Sequence, residues 1–201
     1  MRSIVGLVGA PHSGRRSAAA TLVASCGFQQ LALADGPKEV CRLLFLLSQE
    51  QLQGEGLAKV DARWGATPQQ LWHRVHHELG LDEALWHKRF RLLVPSSSHL
   101  VIPDVNSDAD VQLLRSLPET HVHFVHVQRG GGTTPPWLPE GRDCWVNDGT
   151  LADLRPLVLR WAERTLALPS VVRTKFVMDP ALDAWLMTRT KRARVSLPIL
   201  P

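Results

Sequence analysis

The stretch Gly9-Ala10-Pro11-His12-Ser13-Gly14-Arg15-Arg16-Ser17 decides how the rest of the chain is read. Before it lie residues 3–8, an apolar run rich in β-branched side chains that predicts a first strand. After it lie residues 17–25, an Ala-rich run closed by Gly27 that predicts a helix. Glycines in such a turn let backbone N–H groups point inward, and the helix N-terminus adds partial positive charge. A phosphate group is the ligand that this arrangement suits. The common form of the pattern has Lys after the second glycine and a hydroxyl close behind it. Here Arg15 stands at the Lys position, and Ser17 supplies the hydroxyl one residue later than the strictest pattern. Arg keeps the charge but is a planar fork rather than a compact ammonium. The bland alternative is a strand-to-helix turn that binds nothing.

Outward from this loop, strand and helix patterns alternate. Residues 28–33 predict a second strand. Gly36-Pro37 opens an amphipathic helix expected to run to about Gln53, with Pro at its first turn. Residues 54–65 form a loop. Residues 67–80 predict a helix with Thr67 as N-cap and Pro68 behind it. Residues 99–102 predict a third strand, 108–117 a helix, and 121–128 an alternating fourth strand. Residues 129–141 hold four Gly and three Pro and read as a loop. Residues 143–146 predict a fifth strand. Residues 150–168 predict a helix whose Thr150 and Asp153 are spaced as a capping box. Such alternation predicts an α/β fold with a mostly parallel sheet covered on both faces.

The chain has 201 residues, 44% of them hydrophobic, enough for one domain with a substantial core. We divide it into a domain over 1–168 and a C-terminal extension over 169–201, with one more helix expected over 181–190. Arg173, Lys175, Arg189, Lys191, Arg192 and Arg194 against Asp179 and Asp183 account for the whole net charge of +4. The domain is therefore not a nucleic-acid binder by composition; only its tail is basic, and that tail could meet nucleic acid or a protein partner. No apolar run reaches the length of a membrane span. Cys26, Cys41 and Cys144 are scattered and odd in number, which suits free thiols in the cytoplasm or another reducing intracellular compartment.

Five segments, in order, carry a family resemblance. Leu33-Ala34-Asp35-Gly36-Pro37-Lys38-Glu39 is similar to an "ADPLKE" element. Thr67-Pro68-Gln69-Gln70-Leu71 is similar to a helix start that packs over substrate. Leu100-Val101-Ile102-Pro103-Asp104-Val105 resembles a "VVISDVR" strand. Val125-His126-Val127-Gln128-Arg129 resembles "IRVERPG", and Val146-Asn147-Asp148-Gly149-Thr150-Leu151 resembles an "INDGTLEEL" ending. Together they resemble the deoxynucleoside monophosphate kinases of phages and large DNA viruses over residues 4–166. The resemblance implies a P-loop NTPase fold of the nucleoside monophosphate kinase kind, with five strands. It implies transfer of the γ-phosphoryl of ATP, with Mg²⁺, to a (deoxy)nucleoside monophosphate, and a virus-encoded source. By that resemblance Gly9, Ser13, Gly14, Arg15, Arg16 and Ser17 would hold ATP phosphates. Asp35, Lys38, Trp72 and Arg129 would meet the acceptor. Arg15, Asp104 and Asp35 would be catalytic, and Ser17 and Asp104 would hold the metal.

The departures keep other readings open. Arg15 replaces Lys, and Asn106 stands where "DVR" has Arg. The 130–139 loop carries no Lys or Arg, although Arg129 and Arg142 flank it. A lost lid cation can cost several orders of magnitude in phosphoryl transfer. One alternative is therefore a non-catalytic, kinase-derived interaction or structural protein, such as a viral assembly component. It would pair with a partner or a second copy through its C-terminal segment. Another is a small-metabolite kinase resembling phosphomevalonate kinase, disfavoured because a doubly anionic substrate needs several cations. His73 and His77 lie four apart, yet without a third ligand they read as a solvated helix face rather than a zinc site. His121 and His123 point to one side of their strand and His126 to the other. Trp64, Trp72 and Trp86 fall in the substrate-covering region, where base stacking competes with ordinary core packing.

Overall fold

The computed structural model describes residues 2–78, 83–96, 98–131 and 133–166. The proposed extension over 169–201, with its helix over 181–190, lies outside them. Strand β1 (Arg2–Val8) lies at the centre of a five-stranded sheet. Strands β2 (Gln29–Gln30), β3 (Leu100–Ile102), β4 (Thr120–Gln128) and β5 (Asp143–Val146) complete it, in the order β2-β3-β1-β4-β5. Every pairing is parallel. The carboxyl ends of all strands therefore share one edge, where ligands of open α/β sheets bind.

Alternation along β1 explains the two layers. Val5 and Leu7 point into one core, with Val101, Val125, Val127 and two helices, α1 (Arg15–Cys26) and α6 (Leu151–Leu166). Ile4 and Val8 point into the other core, with Ile102, Phe124, α5 (Asp108–Arg115) and Phe90 of α4 (Glu83–Leu93). Gly6 makes room there: a Cβ on it would sit 3.0 Å from the Phe124 ring. The expected alternation of β4 holds, since His121 and His123 neighbour each other and His123 stacks edge-on against Trp161 of α6. His126 instead faces Thr134. A third, smaller core joins α2 (Asp35–Leu44) to α3 (Pro68–Glu78) through Cys41, Leu47, Leu52, Leu71 and Val75.

Several boundaries differ from expectation. The second helix stops at Leu44 instead of near Gln53, because Leu46 adopts a left-handed φ of 52°. The break lets Leu47 and Leu52 turn into the small core, while Leu46 stays exposed. A short 3-10 turn, Gly54–Ala58, lies in the segment expected as loop. Strand β2 is two residues long rather than six, since after Leu31 the backbone turns to meet Asp104. Helix α4 had no counterpart in the expected elements, although its Trp86 and Phe90, four apart, are both buried. At α3 the N-cap holds: Thr67 Oγ1 accepts from the Gln70 N–H, and Gln70 Oε1 accepts from the Thr67 N–H. At α6 only half of the box forms. The Asp153 carboxylate accepts both the N–H and the hydroxyl of Thr150, and Pro156 sits within the helix.

Candidate active site

The loop after β1 is a tight turn. Gly9 has φ 153°, His12 has φ 63° and Gly14 has φ 106°, so half of its backbone is left-handed or nearly so. Glycine is required at both ends for steric reasons. A Cβ on Gly9 would run into the Val127 carbonyl, and one on Gly14 into the Asn147 amide. Gly14 is also the N-cap of α1, and no side chain caps it. The first N–H groups of a helix have no partner within it, so those of Arg15, Arg16 and Ser17 open on the loop. Placing two arginines there sets cations against the positive end of the helix dipole, at a few tenths of a kcal/mol each. A bound anion reverses the sign of that arrangement.

Ser13 is an internal prop of the loop rather than an open phosphate contact. It is 2% exposed, and its N–H is taken by the Ala10 carbonyl at 3.2 Å. Its own carbonyl accepts from Asn147 Nδ2 at 2.7 Å. Asn147, 6% exposed, thus braces the loop from the end of β5. Its place in a short motif was visible in the sequence, but a contact across 134 positions was not.

Beside the loop, at the carboxyl ends of β2 and β3, a pocket of about 300 Å³ opens. Arg16, Asp35, Lys38, Asp104, Gln49 and Gln53 are among its walls. Arg16, the Asp35–Lys38 turn and Asp104 are far apart in the sequence, and the fold places them on the walls of one pocket. Burial lowers the pKa of Lys38, and Arg16 nearby adds to that, while Asp104 and Asp35 oppose it. Burial likewise lowers that of Arg15, with Asp104 opposing. Lys38 and Arg15 are thus partly desolvated cations whose charge the nearby carboxylates offset only in part, which favours an added anion.

Asp104 does two things. Its carboxylate oxygens accept the N–H groups of Leu33 and Ala34, each at 2.9 Å, tying β3 to the start of α2. Burial raises its pKa above the usual carboxylate range, against those two N–H groups and Lys38. Asp35 Oδ2 accepts from the Ala32 N–H at 3.1 Å, closing the same turn. Arg15 Nη1 donates to Asn106 Oδ1 at 2.9 Å.

Two expected substrate contacts stand apart from this pocket. Arg129 follows β4, on the far side of β1, and its Nη2 donates to the Gly149 carbonyl at 3.3 Å. Arg142, at the other root of the same loop, donates to the Pro139 carbonyl. Trp72 packs against the α2–α3 core and is not among the described residues lining the pocket. Trp86 lies against Gly36, and Trp64 donates Nε1 to the Phe45 carbonyl. Trp72 and Trp86 thus make the packing contacts that the core reading predicted, whereas Trp64 is 43% exposed and stands edge-on to Phe45. The His73 and His77 pair is only partly described, and among the described residues no three metal-ligating side chains gather.

A glycine-bounded loop on a helix N-terminus, at the carboxyl edge of a parallel sheet and beside a pocket walled by both cations and carboxylates, is the arrangement of a kinase-like α/β fold. The relatives sharpen this. A protein of Acanthamoeba polyphaga mimivirus named "Putative deoxynucleotide monophosphate kinase" is 32% identical over 133 residues, covering 57% of this chain and 69% of that protein. The chain belongs to the deoxynucleotide monophosphate kinase family. No family model matches it. Two solved structures share a looser likeness. "A putative kinase from chloroflexus aurantiacus" has a TM-score of 0.49 at 12% identity, over 83% of this chain and 96% of that one. A sugar kinase from Janibacter has 0.40 at 15% identity, over 86% and 98%. Among the described residues no helix is long and apolar enough to cross a membrane.

Proposed function

We propose that this chain transfers the γ-phosphoryl of ATP to a (deoxy)nucleoside monophosphate. The observation that carries the reading is the juxtaposition of the α1 N-terminus with a pocket walled by Arg16, Lys38, Asp35 and Asp104. An acceptor phosphate in that pocket would lie beside the loop that suits the ATP phosphates. One of its oxygens would bond to the γ-phosphorus as the bond to the β-bridging oxygen breaks and ADP leaves. Such a transfer needs positioning and charge neutralisation more than covalent help. Arg15, Arg16 and Lys38 supply the charge. The amides of Gln30, Gln49 and Gln53 offer hydrogen bonds to a base or sugar.

Mg²⁺ bound with ATP would neutralise phosphate charge. The donors fit it: Ser17 offers a hydroxyl, and each Asp104 oxygen keeps a lone pair beyond its N–H bond, an all-oxygen set. Without three clustered ligands among the described residues, the phosphates would supply most of the coordination.

A second reading, a nucleotide-binding relative that does not catalyse, is favoured by one observation. Arg129 and Arg142, which flank the 130–139 loop, each donate to a backbone carbonyl near the loop, and no Lys or Arg lies within the loop itself. ADP release from ATP and Mg²⁺, assayed with each (deoxy)nucleoside monophosphate beside Arg15→Ala, separates the two. Turnover with one acceptor, lowered by about a hundredfold or more but still measurable in the variant, is the expected result. ATP binding without turnover would establish the second reading instead.

A further inference from the structure

Asn106 is held on three sides. Its backbone N–H donates to Asp110 Oδ2 at 2.8 Å, and its Nδ2 donates to the Asp104 carbonyl at 2.8 Å. Its Oδ1 accepts from Arg15 Nη1 at 2.9 Å. Only one orientation of the amide satisfies both side-chain contacts, because the Asp104 carbonyl needs a donor and the guanidinium needs an acceptor.

The support behind Asn106 is itself rigid. Asp110 is 7% exposed and closes a full capping box with Ser107 at the start of α5. Its other oxygen lies 3.1 Å from His87 Nε2 of α4, so the loop carrying Asn106 is anchored to a second helix. The Arg15 guanidinium, in contrast, has Asn106 as its one protein hydrogen-bond partner among the described residues. Asn106 therefore selects one direction out of the many open to a long side chain.

We propose that Asn106 is the positioning residue of the site. It draws the Arg15 guanidinium from the α1 N-terminus toward the strand end that carries Asp104, where the transferring phosphoryl group would pass between the ATP loop and the acceptor pocket. The inference rests on the kinase reading for its consequence, but not for its geometry. A Lys at position 15 would have a single ammonium to divide between Asn106 and phosphate. The guanidinium has five donors, spends one on Asn106, and keeps a bidentate edge for phosphate oxygens. Asn106 thus acts through Arg15, rather than marking a lost phosphate contact.

The test is a double-mutant cycle over Arg15→Ala and Asn106→Ala, read beside arginine side-chain NMR of the ligand-free protein. Asn106→Ala is expected to lower kcat about ten- to a hundredfold, the scale of a misplaced group, while KM for ATP moves by less than about threefold. In the Arg15→Ala background it is expected to change nothing further, because its effect is spent through Arg15. In the NMR spectra, hindered rotation should resolve Arg15 Nη signals. They should collapse in Asn106→Ala and survive in Asn106→Asp, which keeps an acceptor oxygen. Additive losses in kcat, or Arg15 signals indifferent to Asn106→Ala, would overturn the proposal. If the natural protein turns over no acceptor, the kinase reading fails by itself. The same cycle read as affinity for pyrophosphate, together with the NMR signals, still decides the role of Asn106. Should Asn106→Ala not fold, Asn106→Ser carries the same comparison.

Discussion

Lys38 shows best what single residues contribute here. It is half-buried beside Arg16, and burial already lowers its pKa. In the absence of an anion, its charge opposes folding; with one bound, the same charge holds the ligand. Lys38→Met is therefore expected to raise the melting temperature of the ligand-free protein, by on the order of 2 °C for a domain of this size. It is expected to weaken ATP-dependent or acceptor-dependent stabilisation at the same time. Differential scanning calorimetry with and without nucleotide checks both. A loss of stability in the ligand-free state would show that Lys38 is held mainly by Asp35 and Asp104. Arg15 and Arg16 stand in the first turn of α1, against the helix dipole, and that turn holds no acidic side chain.

At the scale of elements, the connection between α2 and α3 is organised by one carboxylate. Asp61 Oδ1 accepts from the backbone N–H and Nε of Arg63, and Oδ2 from Arg63 Nη2 and Gln51 Nε2. The Arg63 side chain, and after it Gln51, hold this carboxyl well below the usual range. A depressed folded-state pKa contributes stability above the unfolded value of about 3.9, and loses it as pH falls below that value. Urea midpoints of the natural protein and Asp61→Asn should therefore differ by a constant amount above about pH 5, and the gap should begin to narrow only as pH falls below about 3.9. A gap that stays constant below that pH as well would mean that packing, not the charge, carries the difference. This knot ties down the segment that follows the early end of α2 and delivers Gln49, Leu52 and Gln53 to the pocket wall.

The whole molecule turns on the strand order. Because β3 lies between β2 and β1, Asp104 reaches back to Leu33 and Ala34 and draws the start of α2 over the sheet edge. Because β4 and β5 lie on the other side, Asn147 comes up under the loop from the opposite direction. The loop is thus braced from both flanks before any ligand arrives, which is the preorganisation that phosphate binding needs. If the proposed site binds ATP, nucleotide at a hundred times its Kd should stabilise the fold by about 2.7 kcal/mol. That corresponds to roughly 5–10 °C in melting temperature for a domain of this size. The shift should vanish in Arg15→Ala, and a shift that persists there would place the nucleotide elsewhere.

Local patterns in the chain were sufficient for the alternation of strands and helices, because hydrophobic periodicity and caps are written within a few neighbouring residues. The glycine-bounded loop, the Thr67 cap and the two faces of β4 all followed from such short-range signals. The sequence offered Arg16, Asp35, Lys38 and Asp104 as separate candidates, and their common pocket is a product of the fold. The early stop of α2 and the short β2 did not follow. Each is decided by which distant surface the segment must cover, and no local propensity records that. The same holds for the braces of the site. Asn147 to Ser13, Asn106 to Arg15 and Asp104 to Leu33 are each a hydrogen bond between residues at least 71 positions apart. A hydrogen bond is won or lost over a few tenths of an ångström, so only the tertiary structure could choose those partners.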